Sequence, residues 1–469
     1  MLDEYNNVYI TGIKGVAMAN LAVILKKTGK TVNGCDTEEE FITDTLLKSN
    51  NISWQTGFDG SLPEKTDLVV YSAAHLGTHN PKVLEAKKKG VKIMHQAELL
   101  GAIMKEYRTS IAVCGCHGKT TTSSLLTYVL LTLGAAPSYL VGAPTFNGYN
   151  GGDHLGKEYF VVEADEYGIN PPANKTPKFH FLKPSYILCT NIDYDHPDVY
   201  TDLSHVKAEF LKFFNGRKLI LSSDDENTVQ LIEQLDKSLI KTYGFSKDSN
   251  LTITNPVFNT KGSSFNLSIN SGKKRVDLGA FNISLYGDRN ILNAAGVILV
   301  LLELGFDPEK IKSAITNFTG AKRRFENIFQ NADFFLFDDY AHHPKEIEAT
   351  IHAARGRFPK RRIIVIFQPH TYSRTQALCS DFAKALSLAD LSLILPIFAS
   401  ARENPKNFKV ASSDIVALNP NKLAIISSKD ELISYLLSHA LPQDIIFTMG
   451  AGDVYKLKDD IIRTIKSLS

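Results

Sequence analysis

The sequence predicts an α/β protein of three domains, each built on a mainly parallel sheet. Short apolar runs rich in β-branched residues alternate with longer helical stretches over most of the chain, as strands joined by crossover helices do. Its 469 residues give room for about three domains of ~150 residues each. The pattern also restarts twice, after the polar stretch Tyr107-Arg108-Thr109 and at Arg323-Arg324. The predicted domains are therefore residues 1–107, 108–320 and 321–469: a Rossmann-like first domain, a central domain built like a P-loop ATPase, and a Rossmann-like third domain.

In the first domain Val8–Gly12 reads as a strand, followed by a helix over Val16–Lys27 and a strand over Thr31–Cys35. Asp67–Tyr71 and Val91–Met94 read as further strands and His95–Lys105 as a helix. The second domain opens with the strand Ser110–Cys114, a loop and the helix Lys119–Leu133, then the strands Tyr159–Glu163 and Tyr186–Thr190. From Leu251 to Tyr286 the apolar period shortens, as in Phe265-Asn266-Leu267-Ser268-Ile269, which predicts a small antiparallel insert. Helices over Asn290–Leu304 and Pro308–Phe318 close the domain. The third has strands at Phe334–Phe337, Arg362–Phe367, Leu391–Leu395, Leu423–Ile426 and Ile445–Thr448.

Composition narrows the function classes. Fifty-two basic against 50 acidic residues leave a formal charge of +2, so no electrostatic argument favours nucleic acid or an anionic membrane. Five cysteines without a repeated CxxC argue against a disulfide scaffold or zinc module and fit a reducing cytoplasm. No run reaches the ~20 apolar residues of a membrane span, and the polar opening Met1–Asn7 is unlike a signal peptide. A soluble intracellular enzyme is expected.

The strongest local signal is Gly115-Cys116-His117-Gly118-Lys119-Thr120-Thr121-Thr122 between a strand and a helix. Such glycines let backbone N–H groups close around phosphate oxygens, and the helix start adds a positive dipole end. Lys119 supplies a charge for the β/γ-phosphates and the Thr120 hydroxyl a ligand for Mg²⁺. Val113 stands where GxxxxGK[ST] has its first glycine, so the loop is a shortened variant. Glu163-Ala164-Asp165-Glu166 places three carboxylates at a strand end, where a metal ligand belongs, and Asn191–His196 repeats the pattern one strand later. His196 alone fits a structural histidine; with Glu163 on a neighbouring strand end it becomes a candidate for a second Mg²⁺. Asn290 and Asn293, almost a turn apart, match the donor and acceptor edge of adenine, and equally fit helix caps. Arg324, in Arg323-Arg324-Phe325-Glu326, suits a transferring phosphoryl group, with a surface arginine as the alternative. Asp338–Pro344 and Phe367–Thr375 follow two strands of the third sheet, so their acid, Tyr, His and Arg side chains gather at one edge. Gly12-Ile13-Lys14-Gly15-Val16-Ala17 is like a dinucleotide loop without its third glycine, with Asp36 as a candidate ribose or base partner.

Together GCHGKTTT, EADE, NIDYDH, the NxxNA helix, RRFE and DDYAHHP, in this order, resemble the Mur ligase family, the ATP-dependent amide-forming ligases of peptidoglycan precursor synthesis. The resemblance spans essentially the whole chain. It implies ATP phosphates on Gly115, His117, Gly118, Lys119, Thr120 and Thr121, one Mg²⁺ on Thr120 and Glu163, and another on His196. It implies adenine on Asn290 and Asn293, ribose on Asp339, phosphates also on Arg324, and the uridine diphosphate end of a sugar nucleotide on Gly12, Gly15 and Ser72. DDYAHHPKEI and FQPHTYSRT look like the branch that joins L-alanine to UDP-N-acetylmuramate, with Tyr340, His342, His370 and Arg374 around the amino acid. Lys119, His196, Arg324 and His342 are then the expected catalytic set. Glu166-Tyr167 and Gly168–Leu182 look instead like the branch that attaches a recycled peptide to the same sugar nucleotide. Arg289 and Thr371 depart from the family's usual histidine and this branch's usual arginine, and Phe210 stands where several relatives carry a carbamylated lysine. An NAD-dependent oxidoreductase and a non-catalytic nucleotide-binding regulator are the readings from other classes.

Overall fold

The computed structural model describes residues 4–259, 261–271, 274–399 and 403–468. They form two compact units. One comprises residues up to Pro256, Ser264–Ser284 and Asn290–Ala321; the other comprises Val257–Ser263, Leu285–Arg289 and Lys322 onward.

The first unit carries two large sheets and a two-stranded hairpin. β1 (Asn7–Thr11), β2 (Thr31–Asp36), β3 (Ser53–Thr56), β4 (Leu68–Tyr71) and β5 (Lys92–His95) form a parallel sheet in the order β3-β2-β1-β4-β5. The order reverses at β1, and Gly12–Gly15 lies at that switch point, where open α/β sheets hold ligands. Gly15 then leads into the helix Val16–Lys27, whose buried face runs from Met18 to Leu25.

β6 (Thr109–Cys114), β7 (Ser138–Phe146), β8 (Tyr149–Asp153) and β9 (Tyr159–Glu163) begin the central sheet; β10 (Gly168–Asn170) and β11 (Asn174–Pro177) stand apart as a two-stranded hairpin. β12 (Tyr186–Cys189), β13 (Lys218–Ser222), β14 (Ile240–Gly244), β15 (Leu251–Asn259), β16 (Gly262–Ser271) and β17 (Lys274–Ile283) complete it, in the order β17-β16-β15-β14-β13-β12-β6-β9-β7-β8. The expected small insert is therefore an extension of this sheet, because β15 pairs in parallel with β14. β6 lies between β12 and β9 in parallel register, so three loops leave the same edge together: Gly115–Gly118, Ala164–Glu166 and Thr190–His196.

The second unit holds β18 (Glu326–Gln330), β19 (Phe335–Asp339), β20 (Ile363–Phe367), β21 (Leu391–Ile394), β22 (Leu423–Ile425) and β23 (Ile445–Met449), ordered β18-β19-β23-β20-β21-β22. Only the edge strand β18 is antiparallel. Buried side chains form a separate core on each face, one around Phe337, Val365 and Phe447 and the other around Leu336, Ile364 and Ile446. Alternating faces along each strand produce the two cores. The loops after β19 and β20 flank the end of β23, so Tyr340–His343 and Gln368–Arg374 share one edge as expected.

Candidate functional site

In the first unit the chain turns from β6 through Gly115–Gly118 into the helix Lys119–Thr132. Gly115 (φ +129°) and Gly118 (φ +82°) hold conformations that L side chains rarely adopt. A Cβ on Gly115 would strike Thr190 Oγ1, and one on Gly118 would lie 3.0 Å from Asn293 Oδ1. The segment after β12 clamps this loop. Cys116 N donates to Asn191 O (3.1 Å) and His117 N to Asn191 Oδ1 (3.0 Å), while Thr190 Oγ1 and Asn191 Nδ2 both donate to His117 O at 2.6 and 2.8 Å. His117 Nε2 lies 3.2 Å from Asp193 Oδ2. The fold thus holds a glycine loop and a helix start in the form that receives an anion.

Lys119 Nζ donates to Gly115 O at 2.7 Å and lies 3.0 and 2.8 Å from the two carboxylate oxygens of Glu166. Burial works against this ammonium, but Glu166, Asp165 and Glu163 outweigh it and hold its pKa above the usual lysine range. Burial likewise opposes the Asp165 carboxylate, yet Lys178, 2.7 Å away, and Lys119 keep it well below the ordinary carboxylate range. Thr120 Oγ1 donates to Glu163 Oε1 at 3.2 Å and Gly142 N to Glu163 Oε2 at 2.9 Å. Thr121 is buried in the same helical turn. His196 (φ +59°) places Nε2 3.3 Å from Glu166 Oε1 and 3.6 Å from Asp195 Oδ2, its ring edge-on to Tyr167. One ligand atom from each of Glu166, Asp195 and His196 lies within 4.8 Å of the others, close enough to share a divalent cation. Hydroxyl and carboxylate oxygens at Thr120 and Glu163 are the hard donors that Mg²⁺ prefers, so the residues present fit that ion. Asn293 adjoins the glycine loop and donates to Asn290 Oδ1 at 3.4 Å.

At the other switch point Gly12 (φ +69°) leaves room for His75, whose ring lies 2.9 Å from where a Cβ would stand. Ser72 Oγ accepts from Ala74 N (3.3 Å). Asp36, a candidate ribose or base partner by sequence, braces this loop: it is 1% exposed and its carboxylate accepts from Lys14 N (2.7 Å) and Thr37 N (2.8 Å). The Lys14 ammonium is also buried, over the Phe41 ring and 3.8 Å from Asp44.

In the second unit Arg323 and Arg324 part ways. Arg323 (φ +61°) donates to Asp338 Oδ2 and Gly450 O and lies against the Tyr340 and Tyr455 rings, which makes it a structural pin. Arg324 lies over Tyr340 at 5.1 Å and 3.9 Å from Glu346. Asp339 accepts from Ala341 N and Phe325 N and from the Thr350 hydroxyl; burial raises its pKa to about 6 although Arg324 pulls it down. Its carboxylate therefore holds the turn that carries Tyr340 and His342. His342 Nδ1 lies 3.0 Å from Tyr340 O and 3.2 Å from Glu346 Oε2, and its ring centroid is 6.3 Å from that of His370. His370 stacks on Phe398, and Arg374 is buried with its guanidinium 3.4 Å from His370 O. Tyr340, His342, His370 and Arg374 are thus brought together.

Sequence reasoning gave no role to Thr190, Glu346 or Glu403, and marked Glu166 and Asn191 only as members of their motifs. Glu346, which accepts from His342 N and His343 N, carries a readable signal, since an acid three residues after a helix cap is a capping box. Glu403, which takes the N–H groups of Tyr372 and Ser373, carries none.

Comparison with known proteins covers nearly the whole chain. Residues 7–108 match the profile "Mur ligase family, catalytic domain", 113–301 "Mur ligase middle domain" and 323–452 "Mur ligase, glutamate ligase domain". UDP-N-acetylmuramate–L-alanine ligase of Desulfitobacterium hafniense is 36% identical, over 97% of this chain and 99% of its own; that of Clostridium tetani is 37% identical over 98% of each. Among solved structures, UDP-N-acetylmuramate-alanine ligase from Thermotoga maritima superposes with a TM-score of 0.80 at 24% identity, covering 99% of this chain and all of that one. A murein peptide ligase from Psychrobacter arcticus gives 0.74 at 24% identity, covering 98% of each chain.

Proposed function

The chain belongs to the Mur ligase family, and from that premise we propose that it joins L-alanine to the lactyl carboxylate of UDP-N-acetylmuramate, with ATP cleaved to ADP and phosphate, in peptidoglycan precursor synthesis. The observation that carries the reading is the buried Lys119 ammonium, held on the glycine loop between Gly115 O and the Glu166 carboxylate. That is a fixed positive charge at a preformed phosphate cradle. L-Alanine as the amine is supported by the near full-length likeness to L-alanine ligases.

In this reading the lactyl carboxylate attacks the ATP γ-phosphate and ADP leaves. The amine of L-alanine then attacks the acyl phosphate, and the tetrahedral intermediate collapses to amide and phosphate. Lys119 and the loop N–H groups neutralise charge on the phosphoryl oxygens. Mg²⁺, when bound, supplies Lewis-acid neutralisation of phosphate charge; Thr120, Glu163 and His196 are the residues proposed to hold it. Asn290 and Asn293 are assigned to adenine, Asp339 to ribose, and Arg324 to phosphate. Gly12, Gly15 and Ser72 are assigned to the uridine diphosphate end, and Tyr340, His342, His370 and Arg374 to the amino acid. A base or a water in the His342 and His370 region is assigned to receive the proton that the L-alanine ammonium must lose.

The test is phosphate release from ATP and Mg²⁺ with UDP-N-acetylmuramate, comparing L-alanine with the tripeptide L-alanyl-γ-D-glutamyl-meso-diaminopimelate. L-Alanine is expected to drive release; release with the tripeptide alone would transfer the assignment to the peptide-attaching branch. Lys119→Met is expected to lower turnover at least 10³-fold in a protein that still folds. Near-normal turnover in that variant would overturn the phosphate-loop assignment.

A further inference from the structure

We propose that Asn20 is a positioning residue for the cation end of the site, acting through the backbone that orients Glu163. Asn20 lies in the helix that follows Gly15, and its side chain is fully buried. Its Nδ2 donates to two carbonyls of the central sheet, Val141 O and Ala143 O, both at 3.1 Å. These carbonyls lie where β7 leaves its ladders. Pairing with β9 ends at Leu140, and the register with β8 slips between Leu140 and Thr145. Buried carbonyls at such a slip need donors from elsewhere, and Asn20 supplies them.

The residue between the two carbonyls is Gly142. Its N–H donates to Glu163 Oε2 at 2.9 Å, and a Cβ there would stand 2.5 Å from both carboxylate oxygens. The opposite oxygen of Glu163 takes the Thr120 hydroxyl. One side-chain amide thus fixes, through the Val141 carbonyl, the very peptide unit whose N–H aims Glu163, and through the Ala143 carbonyl the chain just beyond it. β8 is shaped to admit it: a Cβ on Gly152 would lie 2.7 Å from the Asn20 Cβ. A second tie, Lys27 to Asp153 at 2.5 Å, anchors the other end of the helix to β8. Asn20 Oδ1 is buried without a hydrogen-bond partner, a cost that an apolar residue of the same size would avoid. The two N–H donors are therefore what the position requires.

The inference rests on the proposed role of Glu163 as a cation ligand, and the test separates the two. Free Mn²⁺ is titrated by electron paramagnetic resonance against the full-length protein with a non-hydrolysable ATP analogue, for the parent, Asn20→Leu and Glu163→Gln. Asn20→Leu keeps the branched outline of the side chain, though it is bulkier, and removes both donors. Its Mn²⁺ dissociation constant is expected to rise about 10-fold, the loss usual when an outer-shell partner of a metal ligand is removed. Affinity for metal-free nucleotide and KM for the sugar nucleotide are expected to stay within about 2-fold. Glu163→Gln is expected to weaken Mn²⁺ further. Weakening in Glu163→Gln with none in Asn20→Leu overturns the positioning role alone; no change in either overturns the Glu163 assignment with it. An equal loss of metal-free nucleotide affinity would mark general loosening and also overturn the proposal. Should Asn20→Leu fail to fold, Asn20→Ser, too short to span both carbonyls, is held to the same outcomes.

Discussion

Gly12 and Gly15 occupy one loop and do different jobs. Gly15 has an ordinary backbone (φ −60°) and an added Cβ would come no nearer than 3.5 Å to Gly12 O, whereas Gly12 has φ +69° and its Cβ would press into His75. Gly15→Ala is therefore expected to change unfolding free energy by less than about 0.5 kcal/mol, while Gly12→Ala costs roughly 1–3 kcal/mol from left-handed strain plus the clash. Urea denaturation measures both, and equal losses would refute the distinction. A rise in KM for the sugar nucleotide in a fully stable Gly15→Ala would then report crowding of the ligand rather than damage to the fold. At this scale the sequence marked side chains suited to chemistry but not which of them face each other. EADE announces three carboxylates at a strand end; only the path of the chain after β9 decides that Glu163 meets Thr120 while Glu166 meets Lys119. The bracing role of Asp36 was hidden for the same reason, because the turn of the Lys14 backbone that captures its carboxylate leaves no mark in the residue pattern.

Among the elements, the strands and helices read from the sequence fall within a few residues of their observed bounds, and those built on irregular backbone were missed. β7 and β8 were missed because Gly142, Pro144, Gly148, Gly151 and Gly152 make Ser138–Asp153 look like a loop; those residues in fact accommodate the slipped register and the close approach of Asn20. β18 was missed because Glu326–Gln330 is a short edge strand whose two apolar residues, Ile328 and Phe329, are adjacent rather than alternating, although both pack half-buried on the core. One boundary carries its own titration. His95 ends β5 and caps the helix Gln96–Met104, its Nδ1 accepting from Ala97 N at 3.2 Å. Burial, with help from Lys178, lowers its pKa to about 3. The unfolded chain, with a pKa near 6.5, binds that proton more readily, so His95 contributes stability that is full above about pH 6.5 and is lost as pH falls toward 3. His95→Asn keeps an acceptor at the cap and removes the titration. The stability lost between pH 7 and pH 5, read from urea unfolding, is expected to shrink by roughly 2 kcal/mol in this variant. An unchanged difference would mean that His95 is charged in the native state.

Across the whole molecule, the restart of the α/β pattern near Arg323 coincides with a change of core. The sheet from β18 to β23 is buried on both faces by side chains of its own unit, including Ile347, Phe382 and Leu386 on one side and Leu432, Ile461 and Ile465 on the other. A parallel sheet covered on both faces within ~150 residues has the makings of an autonomous domain. The exceptions are the two short segments that join this unit from earlier in the chain, neither of which has a signal in the sequence. Of these, Leu285–Arg289 carries Tyr286, whose ring lies 4.2 Å from the Arg357 guanidinium and tilts against Phe325. Residues 322–469 expressed alone are therefore expected to fold, with cooperative urea unfolding and a near-ultraviolet circular dichroism signal. Their stability is expected to be lowered by about 1 kcal/mol or more through loss of the Tyr286 contact with Arg357. If that contact is the main loss, Arg357→Leu is expected to destabilise the intact chain more than the fragment, which has lost the Tyr286 ring but keeps the Phe337 and Phe358 rings beside Arg357. A fragment without cooperative unfolding would show that the two borrowed segments are integral to the domain and that its true boundary lies upstream of Leu285.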